Sequence, residues 1–207
     1  MSEPTPLPIP VLTGPTVTLR PHVEDDLGPV VERCNDPETV RWTTVPTPYT
    51  EEMGRSYLAR IMAPSQEQVS WAIERDGAYA GTIDLRAWTR EPGHAAGNIG
   101  FVTHPAARGR GVMSEAVSLV LAHAFDQLGW ELVAWQANVG NHGSAKAAWR
   151  AGFPVPLLVP ALLEHRGVMT DGWHSVLRSD DPREPASSWD EVYAVLVDHV
   201  RTARRPG

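Results

Sequence analysis

Apolar residues recur at helical spacing in several stretches of the chain and at strand spacing between them. Leu27, Val30, Val31 and Cys34 share one face of a helix over residues 23–35, with Glu24, Asp25 and Asp26 in its first turn, where the helix dipole favours acids. Met53, Tyr57, Leu58 and Ile61 mark a second helix over 51–62. From 111 onward Met113, Val117, Val120, Leu121, Ala124, Phe125 and Leu128 form the clearest stripe, and Gly129 follows where a helix end favours glycine. Residues 144–151 read as a short helix closed by Gly152. Ser188-Trp189-Asp190-Glu191 is a capping box opening a last helix that carries Val192, Tyr193, Leu196, Val197 and Val200, with Arg201, Arg204 and Arg205 at its C-terminal end.

Between these helices, β-branched and alternating segments predict strands at 17–20, 69–74, 79–87, 97–103 and 131–137, with extended chain resuming at Phe153. Asp76-Gly77 is a tight hairpin turn between two of them, and Asp36-Pro37, Pro46 and Pro48 punctuate the chain around the first helices. The first dozen residues are Pro-rich and read as an extended arm. The order β, α, α, β, β, β, α, β, α, β implies an α/β (α+β) fold: a mixed sheet covered by helices, followed by a helical extension.

Length and composition narrow the classes. The 207 residues can bury a sizeable core within one domain, 1–207, and 42% hydrophobic residues are too many for a mainly disordered chain. Eight Trp are many for this length; Trp71, Trp88, Trp135, Trp149 and Trp173 are expected mostly in the core. No stretch approaches the roughly 20 apolar residues that span a bilayer, and the first residues lack the basic and apolar regions of a signal peptide. A single cysteine, Cys34, makes neither an internal disulfide nor a zinc site, so a cytoplasmic, metal-free protein is expected. The net charge of −7 argues against nucleic acid and suits a cationic partner, although solubility alone accounts for such a charge.

The segment that carries chemistry is the strand Asn98-Ile99-Gly100-Phe101-Val102-Thr103-His104-Pro105, followed by Ala106-Ala107-Arg108-Gly109-Arg110-Gly111-Val112-Met113-Ser114 at the start of the clearest helix. Unsatisfied N–H groups at a helix start attract a pyrophosphate, and glycines let ligand and backbone approach closely. The segment lacks the Gly-Lys-Ser/Thr ending of a nucleotide P-loop and the GxGxxG dinucleotide fingerprint.

This segment resembles the coenzyme A motif of the GCN5-related N-acetyltransferase (GNAT) superfamily, Arg/Gln-x-x-Gly-x-Gly/Ala. Arg108 and Gly111 match it, and Met113 departs from its last position. Val17-Thr18-Leu19-Arg20-Pro21 and Asn138-Val139-Gly140-Asn141-His142-Gly143-Ser144, ending in Ala151-Gly152-Phe153, extend the likeness over about residues 11–177. They direct it to the branch that acetylates ribosomal-protein N-termini. The resemblance implies a mostly antiparallel sheet with a splayed central strand pair, acetyl-CoA as cosubstrate and an amine acceptor, either a protein N-terminus or a small molecule. It also implies cofactor contacts at Phe101, Val102 and Thr103, from Arg108 through Gly109, Arg110, Gly111, Val112 and Met113 to Ser114, and at Asn141. Ser144 lies near the sulfur as candidate acid, and a homodimer is expected. The tyrosine that many relatives carry as thiolate acid is Ala148 here, and a strand glutamate used by some as base is Asn98. The base stays open among ordered water, His104, His165, His174, Asp84 and Glu74. Trp42 and Tyr49, in the loop between the first two helices, are candidates for the acceptor wall; a silent acyl-CoA-binding module is the alternative function.

Overall fold

Strand alternation and two hairpin turns build one eight-stranded sheet in a computed structural model that describes residues 9–63, 65, 67–88 and 96–203. Its strands are β1 (Leu12–Thr13), β2 (Thr18–Arg20), β3 (Gln68–Arg75), β4 (Ala78–Ala87), β5 (Ala96–Thr103), β6 (Leu132–Asn138), β7 (Leu157–His165) and β8 (Val168–Arg178). The spatial order is β1-β2-β3-β4-β5-β6-β8-β7, and every neighbouring pair is antiparallel except β5 and β6, which run parallel. The helices are α1 (Leu27–Asn35), α2 (Pro37–Trp42), α3 (Glu51–Met62), α4 (Val112–Ala122), α5 (His142–Arg150) and α6 (Trp189–Thr202). The mixed sheet with flanking helices and a C-terminal helix agrees with the expected fold class.

The two faces of the sheet differ in chemistry. Trp71, Ile73, Ile83, Leu85, Ile99 and Trp135 belong to the main core, packed with Val112, Ala116, Val117 and Val120 of α4. A second, smaller core of Val30, Cys34, Tyr49, Leu58 and Ile61 lies under α1 and α3. The alternate residues of the central strands, Ser70, Thr82 and Asp84, are polar yet buried.

Several local expectations are met in detail. Asp76 and Gly77 turn with φ of 53° and 76°, the left-handed pair that a two-residue hairpin requires. Ser188 and Glu191 form the reciprocal capping box of α6, whose Val192 and Leu196 are buried in the main core. The tail helix therefore packs on its own chain, while Tyr193 and Val195 face outward. Arg204 and Arg205, like the first eight residues of the expected arm, lie outside the described residues.

Other expectations are corrected. Asp36-Pro37 does more than punctuate. Asp36 caps α2 by accepting from the Thr39 N–H at 2.9 Å, and Pro37 takes the first helical position, where its missing N–H costs nothing. Trp42 thus ends a short helix instead of lying in a loop. The extended chain after Phe153 is a hairpin of two strands, β7 and β8. Pro160 is tolerated where the ladder shifts register between Val159 and Leu163. Trp88 is 53% exposed and Trp149 half-buried, whereas Trp71, Trp135 and Trp173 are core residues as expected.

Candidate functional site

The site forms where the two parallel strands separate. β5 and β6 pair from Ala96 opposite Leu132 to Ile99 opposite Trp135, and the ladder stops there although both strands continue. On its other edge β5 stays paired to β4 as far as Thr103 opposite Gly81. Gly100, Phe101, Val102 and Thr103 therefore turn one backbone edge into a gap toward Gln136, Ala137 and Asn138. An extended chain can pair along such an edge as an added strand would.

β5 leads into a turn that opens α4. His104 and Pro105 start a single 3-10 turn, Gly109 and Gly111 adopt φ of 75° and 78°, and Gly111 caps the helix that begins at Val112. A Cβ added at either glycine would meet nothing within 4 Å, so the space over the turn is open. The first N–H groups of α4 face this space without intrahelical partners. Glu115, the acid of the first turn, bends away and accepts from the Thr16 and Val17 N–H groups at 2.7 and 3.1 Å, so it does not fill the anion position. Met113 is 7% exposed and belongs to the main core; the departure from glycine is absorbed by packing and leaves only its backbone at the turn.

The two arginines of the turn behave differently. Arg110 is exposed and its carbonyl accepts from Arg75 Nη1 at 3.0 Å. The Arg108 side chain instead donates to Asp36 and, at 3.1 Å, to Thr39 Oγ1, and this bond holds the Asp36 carboxyl below its ordinary range. Arg108 therefore ties the turn to the cap of α2, and half of the cationic charge expected over the turn is already neutralised there.

α5 supplies the remaining groups. Asn141 caps it, its Oδ1 accepting from the Ser144 N–H at 3.2 Å. Ser144 Oγ accepts from the indole N–H of Trp135 at 3.0 Å, which leaves the hydroxyl proton free to donate elsewhere. Trp135 is the last β6 residue laddered to β5, so this bond fixes Ser144 at the point where those strands part. Sequence reasoning placed Trp135 in the core and missed this second task.

Of the two aromatic candidates the structure brings one to the site. The Trp42 ring lies against Gly140, 3.3 Å from where a Cβ would stand, beside Asn141. Tyr49 is buried in the second core, its phenol pushed up to about 12 mainly by burial, and donates to the Met53 carbonyl at 3.4 Å. Tyr49 also borders a shallow depression of about 520 Å³ with Pro46, Thr50, Glu52, Met53 and Ser56, which shares no residue with the strand gap.

The candidate bases separate equally well. Glu74 is held by Arg20 at 2.7 Å, and His174 Nδ1 is engaged by Gln136 Nε2 at 3.3 Å. His104 is buried and caps its own turn, with its imidazole shifted down by burial. His165 sits at the β7–β8 hairpin. Asp84 lies beside the strand gap, buried, opposite Gly100.

An open glycine turn at a helix start beside a split in a parallel strand pair is the arrangement that the GNAT resemblance implies. A family model for the acetyltransferase (GNAT) domain matches residues 16–154. The chain belongs to the GNAT acetyltransferase family. Among solved GNAT structures the fold is similar to that of Mycobacterium smegmatis RimJ, solved with CoA-disulfide, at 17% identity over 98% of this chain and 97% of that one, TM-score 0.72. RimL, a ribosomal L7/L12 alpha-N-protein acetyltransferase solved with coenzyme A, aligns at 18% identity over 82% and 98%, TM-score 0.71. A GCN5-related N-acetyltransferase from Brucella melitensis aligns at 20% identity over 94% and 88%, TM-score 0.69. No curated protein matches the sequence. Among the described residues of this GNAT chain no cluster of His, Cys, Asp or Glu could hold a metal ion, and no helix is long and apolar enough to cross a membrane.

Proposed function

We propose that the protein transfers an acetyl group from acetyl-CoA to a primary amine, the acceptor being a protein N-terminus or a small molecule. The observation that carries this reading is the join of three features: the open left-handed turn at Gly109 and Gly111, the unpaired edge from Gly100 to Thr103, and Ser144 at the parting of the strands. The turn and first helical N–H groups of Arg108 to Ser114 would hold the pyrophosphate, and the β5 edge the extended arm, with Asn141 beside it.

In this assignment each residue has a chemical task. An N–H of Phe101 or Val102 would stabilise the oxyanion that develops as the amine attacks, a contribution worth about 3 kcal/mol per donor in comparable sites. Ser144 would donate its proton to the departing sulfur, its oxygen held by the Trp135 N–H so that the proton points away from the indole. Trp42, against Gly140, would form one wall for the acceptor. Acetyl-CoA with a panel of peptides and small amines, followed by release of the free thiol, tests the reading. Thiol release that depends on the amine supports it, and tight acetyl-CoA binding with no release over the whole panel rejects it.

One pair of observations favours the alternative of a silent acyl-CoA-binding module. Ala148 is 1% exposed in the core and has no hydroxyl to replace the missing tyrosine, and Asn98 holds no proton-accepting group on β5. The same assay separates the two.

A further inference from the structure

Asn98 cannot take a proton from the attacking amine, yet the structure places a carboxylate one strand away. Asp84 of β4 pairs in register with Gly100, and Arg86 with Asn98, so the side chains of Asp84 and Asn98 lie on one face of the sheet. Gly100 is the first β5 residue beyond the β5–β6 ladder. Having no side chain, it leaves the carboxylate directly over the backbone: a Cβ there would stand 3.1 Å from Asp84 Oδ1.

Asp84 and Ser144 also stand on opposite faces. Ser144 is held by Trp135, which is level with Ile99 in the core under α4. Asp84 is on the alternate positions of β4, toward α1 and α3, where Arg33 and Arg60 contribute to its field. The strand gap joins the two faces. A nucleophile entering from the α1/α3 face and a thiolate leaving on the α4 face would therefore pass through one opening, with a proton acceptor at its entrance and a proton donor at its exit.

We infer that Asp84 is the general base of the acyl transfer, accepting the proton of the attacking amine from the α1/α3 face of the sheet. The inference rests on the acetyltransferase reading above. The amine nitrogen bonds to the thioester carbonyl carbon as the carbon–sulfur bond breaks. The nitrogen's proton passes to Asp84 and the Ser144 proton to sulfur, and water then carries the proton from Asp84 back to Ser144.

The surroundings of Asp84 fit the task. Its side chain retains 10% of its accessible surface, with Oδ1 itself enclosed, so the proton reaches the carboxylate at its Oδ2 side or through an ordered water. Arg86 Nη2 donates to Oδ2 at 3.2 Å, while Oδ1 has no hydrogen-bond partner among the described residues. Arg86 Nε stands 3.0 Å from Oδ1 in an ion pair without hydrogen-bond alignment. Burial outweighs Arg86, Arg60 and Arg33 and pushes the carboxyl up to about 6, so it is ionised yet basic near neutral pH.

The test uses acetyl-CoA and peptide amines that titrate near pH 8, with thiol release followed from about pH 5 to 9 in wild type, Asp84→Asn and Arg86→Gln. In wild type log kcat/KM should fall with the slope of one proton below the amine's pKa and of two protons below about 6. Asp84→Asn should lose the second proton's slope and about 10²- to 10⁴-fold in kcat, with the acetyl-CoA Kd from calorimetry unchanged. Arg86→Gln should move the lower limb to higher pH, a shift that a purely structural Asp84 would not produce. An Asp84→Asn enzyme that keeps both its rate and the two-proton slope overturns the base assignment while leaving acyl transfer standing. Wild type that binds acetyl-CoA and releases no thiol with any amine removes the acyl-transfer reading, and the base assignment with it.

Discussion

Two glycines with the same backbone conformation allow the proposed anion site to be tested apart from protein stability. Gly111 has φ of 78° and Gly77 has φ of 76°, and a Cβ at either meets nothing within 4 Å. Alanine is therefore strained by the left-handed backbone alone at both positions, at a cost of about 1–2 kcal/mol, offset by about 0.4–1 kcal/mol from the reduced freedom of the unfolded chain. Each variant should lose about 1 kcal/mol of stability, a fall of about 2–4 °C in Tm for a chain of this length. The two differ in what occupies the open space. At the β3–β4 hairpin there is only solvent. At the start of α4 the methyl would stand where an anion must approach the first N–H groups, and a hydrogen bond to a charged group is worth about 1.5–3 kcal/mol. Gly111→Ala should thus bind CoA about 10- to 100-fold more weakly, while Gly77→Ala should bind like wild type. Calorimetric titration with CoA reads the affinity and thermal unfolding the strain. Matched losses of stability with equal CoA affinity in the two variants would refute the placement of the pyrophosphate at this turn.

Three further outcomes are expected. Ser144→Ala should lower kcat by about 10²-fold with the CoA Kd unchanged, and Trp135→Phe, which removes the indole donor to Ser144 and leaves a core cavity that thermal unfolding reads separately, should lower it less, in the range of about 3- to 10-fold. Asp84→Asn should change stability with pH: between the ordinary carboxylate value of 3.8 and its value of about 6 the folded protein holds a proton that the unfolded chain has released. Wild-type stability then falls as pH rises through that window, so the variant should match wild type near pH 4 and exceed it by about 2–3 kcal/mol at pH 8, read by denaturant titration. Ser188→Ala removes the α6 cap and should cost about 1 kcal/mol without affecting CoA binding, because α6 contributes to the core and not to the turn.

The sequence was most informative where one residue type does one thing. The apolar stripe of α4, the Asp76-Gly77 turn and the Ser188 capping box each follow from local chemistry, and each stands where it was expected. It was less informative where a residue serves two purposes. Asp36-Pro37 is a break in one helix and the cap of the next, and Pro160, which argues against a strand, sits at the irregularity of β7. Arg108 matches the cofactor motif by position, yet its side chain is engaged by Asp36, 72 residues away in sequence. Asp84 was one candidate base among several, and for a different reason it did not stand out. Residues 80–85 of β4 are buried on both faces, so the alternation that would mark a polar face is lost. Only the register with Gly100 brings its carboxylate to the strand gap. The Trp135–Ser144 bond likewise depends on how α5 packs across the end of the β5–β6 ladder.

A crystal structure of the protein with acetyl-CoA bears most directly on the account. The pyrophosphate should lie within hydrogen-bond distance of the backbone N–H groups around Gly109 to Met113, the pantetheine arm should pair along Phe101 to Thr103, and the sulfur should stand near Ser144. A cofactor bound with its pyrophosphate away from the start of α4, or with its arm outside the gap between β5 and β6, would contradict it.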